Sequence, residues 1–365
     1  MSTVQQKGEI VFDLGPSREN PRNGEGSFLG LSDGRIMFAY SSFVGETNRD
    51  TAYARIVVRH SHDSGNTWSG ERVIVSPQDH EALNVMSVSL LRLGNGDIGL
   101  FYLVRKGWHD MRLHVRRSSD EGETWGEALC CVPAPGYYVT NNDRVIRLSN
   151  GRLIFAASFH KMWGHKVTYN GRGVVCCFLS DDDGDTWREA RTPLTMPEPR
   201  STTGLQEPGV IERKDGTLWL WSRTDLGLQY ESFSLDGGET WTKPSASEFT
   251  SPASPLSMKR NPYDDRLLAV WNPVPNYRTR PFLPRYAGRT PLICAISNDE
   301  GKTWGHDFAA EPLDDMTGFC YAAIHFTADS VLLGYYGHEI GDGEHRDRLL
   351  IRKVNWSEIV QNGQG

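Results

Sequence analysis

The sequence predicts an all-β chain, specifically a six-bladed β-propeller of four-stranded antiparallel blades. Three observations predict it. One eight-residue phrase occurs five times: SHDSGNTW (Ser61 to Trp68), SSDEGETW (Ser118 to Trp125), SDDDGDTW (Ser180 to Trp187), SLDGGETW (Ser234 to Trp241) and SNDEGKTW (Ser297 to Trp304). It recurs about every 60 residues, which marks a repeat architecture whose units bury their faces only against neighbours. A second set of tight turns, each between apolar runs, alternates with the phrase along the chain. Finally, no long stretch of 3.6-residue periodicity is visible, so helix should be scarce.

Each unit reads as strand, tight turn, strand, loop, strand, Trp-containing turn, strand. The tight turns fall at Asp33-Gly34, Asn95-Gly96, Asn150-Gly151 and Asp215-Gly216, with weaker versions at Asp264-Asp265 and Asp329-Ser330. Asn-Gly and Asp-Gly between alternating strands are the strongest local hairpin signal. Six hairpins give six blades. In the phrase itself the Asp can bond backbone amides ahead of it, the Gly supplies a positive φ, and the Trp packs back over the turn. These Asp-box turns speak of fold, not of chemistry. The last blade lacks one and would take its third strand from Arg348 to Trp356. The segment Glu9 to Asp13 is expected to complete that blade, because a ring must close without leaving an edge. Residues 1–365 are therefore expected to form a single domain.

Bulk properties bound the function. A 38% hydrophobic and 23% charged composition is that of a globular protein, and a net charge of −7 argues against nucleic acid as a partner. No run of about 18 apolar residues occurs, so no membrane span is expected. The first residues, MSTVQQKGEIVFDLG, carry no basic region followed by an apolar stretch, so no signal peptide is expected and a cytoplasmic location follows. The cysteines (Cys130/Cys131, Cys176/Cys177, Cys294, Cys320) show no zinc-site spacing with histidine, and free packing thiols are expected. No metal or cofactor is expected.

The blade geometry also predicts a pocket. In a propeller the first strand of each blade lines the axis, and its starting end faces a common mouth. Counting back about eight residues from each hairpin turn reaches Glu25, Ser87, Asn142, Glu207, Leu256 or Ser257, and Tyr321. Five of these six positions are polar. Either they line a wet channel of satisfied polar groups, or they form an active site on the axis.

Glu207 stands in LQEPGVIERKDGTLWLWSRT, with Arg223 on the next strand; Arg289 precedes the last Asp-box in GRTPLICAISNDEGKTW. Tyr321 stands in GFCYAAIHF, and Asp50 in NRDTAYARIVVRHSHDSGNTW. Together with the Trp-containing turns, these segments resemble the exo-sialidase (neuraminidase) superfamily, BNR/Asp-box repeat propellers of the glycoside hydrolase family 33 kind. The resemblance covers nearly the whole chain. It implies retaining hydrolysis of a terminal α-linked 2-ulosonic acid such as sialic acid, and so a glycan partner with an acidic terminal sugar. Tyr321 is implied as nucleophile, Glu207 as its base, and Asp50 as acid/base; Arg223 and Arg289 are implied to bind the substrate carboxylate. The residue types suit that chemistry. The anomeric carbon of such a sugar bears a carboxylate, which repels an anionic nucleophile but not a phenol. Forked guanidinium groups bind the carboxylate through charge-assisted hydrogen bonds.

The resemblance breaks at the first strand. Where sialidases open with Arg-Ile-Pro, this chain has NPRNGEGSFLGL. Arg22 is the nearest substitute for the missing arginine, and Glu25 adds a second carboxylate at the mouth. Asn142 and Arg144, with Asn141 and Asp143, are further expected substrate-binding groups. His160 at a strand end reads as a hydrogen-bonder. The insert from Asn272 to Arg289, with Arg278, Arg280, Pro281, Pro284 and Arg285, is expected to border the leaving group. His338, Glu339, Asp342 and His345 belong to a rim loop without metal spacing. Two rival readings stand beside hydrolysis: β-elimination on uronic-acid glycans with Tyr321 as acid/base, and a non-catalytic glycan-binding propeller.

Overall fold

The computed structural model describes residues 4–164, 168–275, 288–314, 317–340 and 345–360. Arg278, Arg280, Pro281, Pro284 and Arg285 of the insert, and Asp342 of the rim loop, lie outside these residues. The described chain is all-β; its helical elements are the 3-10 turn Pro77–His80 and the short helix Trp356–Val360.

All six expected hairpins form. Arg22–Gly30 pairs with Ile36–Phe43, Asn84–Arg92 with Ile98–Gly107, and Ile146–Arg147 with Leu153–His160. Gln206–Glu212 pairs with Leu218–Arg223, Ser257–Arg260 with Leu267–Trp271, and Thr317–Phe326 with Ser330–Ile340. All are antiparallel. The third hairpin has the shortest first strand, because Asn141 to Arg144 leave the ladder. A separate strand, Tyr137–Val139, pairs with Leu153–His160 in its place.

Five of the third strands (Ala54–Ser61, Asp110–Ser118, Val174–Ser180, Leu228–Ser234 and Leu292–Ser297) end on the serine of the repeated phrase. The phrase then makes the same closed set of bonds each time. In the first copy Asp63 Oδ1 accepts from Ser61 Oγ and the Thr67 amide, both at 2.8 Å, while Thr67 Oγ1 donates to Asp63 Oδ2 at 2.6 Å. Ser61 Oγ in turn accepts from the Gly65 amide at 2.8 Å. The indoles of Trp187 and Trp241 donate back to Gly184 and Gly238. Each turn also presses against the hairpin of the preceding unit. A methyl group on Gly301, whose φ is +80°, would lie 2.4 Å from a ring carbon of Trp219. The first turn rests in the same way on Leu332 of the last hairpin, 2.6 Å from a methyl group on Gly65. The phrase is therefore a clamp between sheets as well as a turn.

Strand pairing joins the units unevenly. Gln206–Glu212, Leu218–Arg223, Leu228–Ser234 and Ser245–Thr250 make one four-stranded sheet; Ser257–Arg260, Leu267–Trp271, Leu292–Ser297 and Gly305–Glu311 make another. The first and last hairpins share an eight-stranded sheet through one parallel pair, Arg22 with Asp347. The second and third share a nine-stranded sheet through another, Tyr137 with Met111. The N-terminal strand Glu9–Leu14 pairs with His345–Asn355, from Glu9 with Lys353 to Leu14 with Leu349. It covers the edge that the last hairpin would otherwise present, as the sequence suggests. Apolar side chains of neighbouring sheets interlock between them. Ile154 and Leu179 meet Leu218 and Leu220 in one cluster, and Trp219 and Phe249 meet Leu267 and Trp304 in another. The six cysteines are free thiols. No helix among the described residues is long and apolar enough to cross a membrane.

Candidate active site

Four of the residues counted back from the hairpin turns share one backbone device. In the first strands of four hairpins the register slips, between Gly24 and Ser27, Met86 and Ser89, Gln206 and Gly209, and Cys320 and Ala323. At each slip two residues oppose one on the partner strand, which is a β-bulge. The leading residue of each bulge is left-handed without being glycine: Glu25 (φ 52°), Ser87 (φ 59°), Glu207 (φ 46°) and Tyr321 (φ 60°). Such a conformation costs about 1–3 kcal/mol per residue and persists where the surrounding fold enforces it. In the third hairpin the left-handed residue is Asp143 (φ 56°), one position beyond the expected Asn142. The fifth hairpin, at Ser257, has no bulge.

The bulges bring Glu207 and Tyr321 into a cleft of about 890 Å³ that also exposes Arg22, Asp50, Arg223 and Arg289. Tyr321 Oη donates to Glu207 Oε1 at 2.7 Å. Arg223 Nη1 pairs with Glu207 Oε2 at 2.8 Å and lies 3.4 Å from Tyr321 Oη. The guanidinium of Arg289 sits 5.5 Å from the centre of the Tyr321 ring. Burial, and then the charge of Glu207, push the Tyr321 phenol well above its usual range, against the pull of Arg223 and Arg289. The phenol therefore rests protonated, with a carboxylate already placed to take the proton.

Arg22 forms the second centre. It is 5% exposed, and its Nη1 donates to Asp50 Oδ1 at 2.6 Å, its Nε to Tyr336 Oη at 2.8 Å, and its Nη2 to Glu25 Oε1. Ser87 Oγ donates to the other Glu25 oxygen. Burial raises the Glu25 carboxyl above its ordinary range, and Arg22 and Ser87 counter only part of that rise. The second carboxylate at the mouth is thus matched by the arginine three residues before it.

Asn142 and Arg144 are not among the residues that line this cleft and bond to backbone carbonyls instead. Asn142 Nδ2 donates to Gly26 O at 2.8 Å and Tyr321 O at 3.2 Å, holding the backbone of the bulge. Arg144 Nη2 donates to Leu256 O at 2.7 Å, and burial lowers its guanidinium to about 10. Their contacts are structural, because the polar stretch 141–144 lies between strands Tyr137–Val139 and Ile146–Arg147 instead of along one. His160 lies in the cleft wall, its Nδ1 near Asn170 O and Tyr169 Oη, which is a hydrogen-bonding position of the expected kind.

Sequence reasoning missed several other lining residues of the cleft. Arg105 is buried, with its guanidinium 4.4 Å from the Trp108 ring and 5.4 Å from that of Tyr137, and it donates to Asp50 O. Tyr336 and His338 line the cleft from the second strand of the last hairpin, so His338 lies on a strand and not in the expected rim loop; Glu339 and His345 also fall on paired strands. Pairing register was the available signal. Arg105 stands opposite Asn84 and Tyr336 opposite Cys320, both a few residues or fewer from a bulge. No group of three or more His, Cys, Asp or Glu side chains placed to hold a metal occurs among the described residues.

Comparison with known proteins decides the family. Residues 34–358 match the BNR repeat-like domain. The chain belongs to this family. No curated protein sequence matches it. Among solved structures, the leech intramolecular trans-sialidase, complexed with 2,7-anhydro-Neu5Ac, superposes with a TM-score of 0.72 at 17% identity, covering 98% of this chain and 71% of that one. The intramolecular trans-sialidase from Ruminococcus gnavus, in complex with oseltamivir carboxylate, gives 0.70 at 14% identity, with coverage of 96% and 97%. A protein of unknown function from Dyadobacter fermentans gives 0.70 at 20% identity, with coverage of 95% and 99%. At these identities the likeness establishes a sialidase-like fold for this BNR-repeat chain and leaves its chemistry to the site.

Proposed function

We propose that this BNR-repeat protein is a single-domain, six-bladed propeller enzyme, a glycoside hydrolase of sialidase type that releases a terminal α-linked 2-ulosonic acid with retention. Docking of each Trp-containing turn on the hairpin of the preceding unit, and of the first on the last, supports a ring of six units. The observation that carries the chemistry is the 2.7 Å bond from Tyr321 Oη to Glu207, flanked by Arg223 and Arg289. A phenol needs an adjacent base to act as a nucleophile, and this one has it.

In the proposed first step the Tyr321 oxygen bonds to the anomeric carbon as the bond to the leaving oxygen breaks. Glu207 takes the phenol proton, and Asp50 gives a proton to the leaving oxygen. In the second step Asp50 accepts a proton from water, whose oxygen displaces Tyr321, and Glu207 returns the phenol proton. Two displacements at one carbon give retention. Arg22, Arg223 and Arg289 surround the place for the substrate carboxylate. A carboxylate that competes for Arg22 would loosen its 2.6 Å hold on Asp50 and let Asp50 take up the proton it must donate. The substrate is an oligosaccharide or glycan with an acidic terminal sugar.

The test is a panel of fluorogenic ulosonates and uronates with wild type and Tyr321→Phe. Turnover of at least one ulosonate is expected, with kcat lowered about 10²–10⁴-fold by the substitution. A uronate product absorbing in the near ultraviolet would establish elimination instead. Binding without turnover, unchanged in Tyr321→Phe, would establish a glycan-binding propeller.

A further inference from the structure

Between Arg289 and Arg22 runs a chain of three buried groups, Cys320, His338 and Asp347, that the proposed hydrolysis does not use. Arg289 Nη1 donates to Cys320 Sγ at 3.1 Å, and the same sulfur lies 3.1 Å from His338 Nε2. His338 Nδ1 is bonded to Asp347 Oδ1, and Asp347 Oδ2 faces Arg22 Nε at 3.8 Å. Cys320, His338 and Asp347 are 1%, 3% and 2% exposed. Strand pairing sets the line. Asp347 stands opposite His338, and Cys320 is the last paired residue before the bulge that carries Tyr321.

The shared proton has two possible places. Asp347 faces Nδ1, so that nitrogen carries a hydrogen. At the other end, either a thiol donates to neutral Nε2, or an imidazolium donates to a thiolate. The outer neighbours decide between them. A carboxylate beside the ring favours the imidazolium, and a guanidinium beside the sulfur favours the thiolate. Charge then alternates along the line Arg22, Asp347, His338, Cys320, Arg289. Burial alone would lower the His338 imidazole, but its contacts with Cys320 and Asp347 raise it to about 9.

We propose that Cys320 is held as a thiolate against an imidazolium on His338, and that this pair positions Arg289 for the carboxylate of an acidic substrate. The role given to Arg289 rests on the hydrolase reading above; the charge state of the pair does not. Cys320 is thus a positioning residue, one side chain removed from the substrate.

Two measurements test it. The thiolate absorbs near 240 nm. Burial raises the thiols of Cys130, Cys131, Cys176, Cys177 and Cys294, so none of these five contributes such a band at neutral pH. The difference spectrum of wild type minus Cys320→Ser should show it at pH 7. Should the serine variant not fold, the infrared S–H absorption of wild type serves instead, at one thiol fewer than the six of the unfolded chain at acid pH. The second measurement is steady-state kinetics on the ulosonate turned over fastest. Cys320→Ser should raise KM about tenfold and leave kcat within about twofold, the pattern of lost ground-state binding. An absent thiolate band overturns the charged pair whatever the substrate, and a band with unchanged KM overturns its positioning role. If wild type turns over no ulosonate, the hydrolase reading fails and with it the role of Arg289, while the band still judges the pair.

Discussion

Arg22 is the residue on which the mouth of the cleft depends. It stands among three carboxylates, Glu25, Asp50 and Asp347, and its own side chain is 6% exposed while that of Glu25 is 3% exposed. Removing one partner of a buried pair leaves an uncompensated charge and costs about 3–5 kcal/mol. Arg22→Met is therefore expected to lower unfolding stability in urea at pH 7 by that amount, and a loss below about 1 kcal/mol would contradict the pairing. The hairpin turns made several site residues legible. Glu25, Ser87, Glu207 and Tyr321 all lie at one depth from their turns, so a count along the sequence finds them. Asn142 was one position out because no bulge-bearing strand exists there. Tyr336, His338 and Arg105 were illegible for another reason: they reach the cleft from second strands. Finding them requires knowing which residue each faces across a bulged ladder, and local periodicity does not carry that information.

At the scale of elements, the first strand shows how an edge is managed. Val11, Phe12 and Leu14 of strand Glu9–Leu14 pack against the cluster that holds Phe38, Leu332 and Ile351. Deleting residues 1–14 removes three partly buried apolar side chains, together worth roughly 3 kcal/mol, and bares the edge of His345–Asn355. The shortened protein should melt several degrees lower and self-associate through that edge, read by thermal unfolding and light scattering. An unchanged melting temperature with a monodisperse solution would contradict this role. The strand was readable from the sequence because the last unit has a phrase-free third strand and otherwise no fourth. The insertion of Tyr137–Val139 was not readable, since three residues carry too little alternation to announce a strand.

For the whole molecule, the repeated phrase sets the acid limit of stability. Hydrogen bonds from the Thr side chain and amide four residues on hold Asp63, Asp120 and Asp299 at about 2, below the ordinary 3.8. A carboxyl lowered in the folded state contributes stability that is full above its unfolded value and is lost as pH falls through the folded one. The melting temperature should therefore decline between about pH 4 and pH 2, and Asp120→Asn should make that decline shallower. A melting temperature that stays level across this window would show that the clamps contribute nothing to acid stability. The repeats were legible when the sheet boundaries were not. Six hairpin turns and five copies of a conspicuous phrase mark them along the sequence, whereas single parallel pairs such as Arg22 with Asp347 fuse neighbouring sheets and leave no mark in composition or periodicity.

The central claim is that a phenol, and not a carboxylate, attacks the sugar. It is tested most directly by incubating the protein with the 2,3-difluoro derivative of its fastest ulosonate, followed by intact mass measurement and peptide mapping. The expected result is one added glycosyl group on the peptide containing Tyr321, absent from Tyr321→Phe. No adduct, or one carried by Glu207 or Asp50, would contradict it.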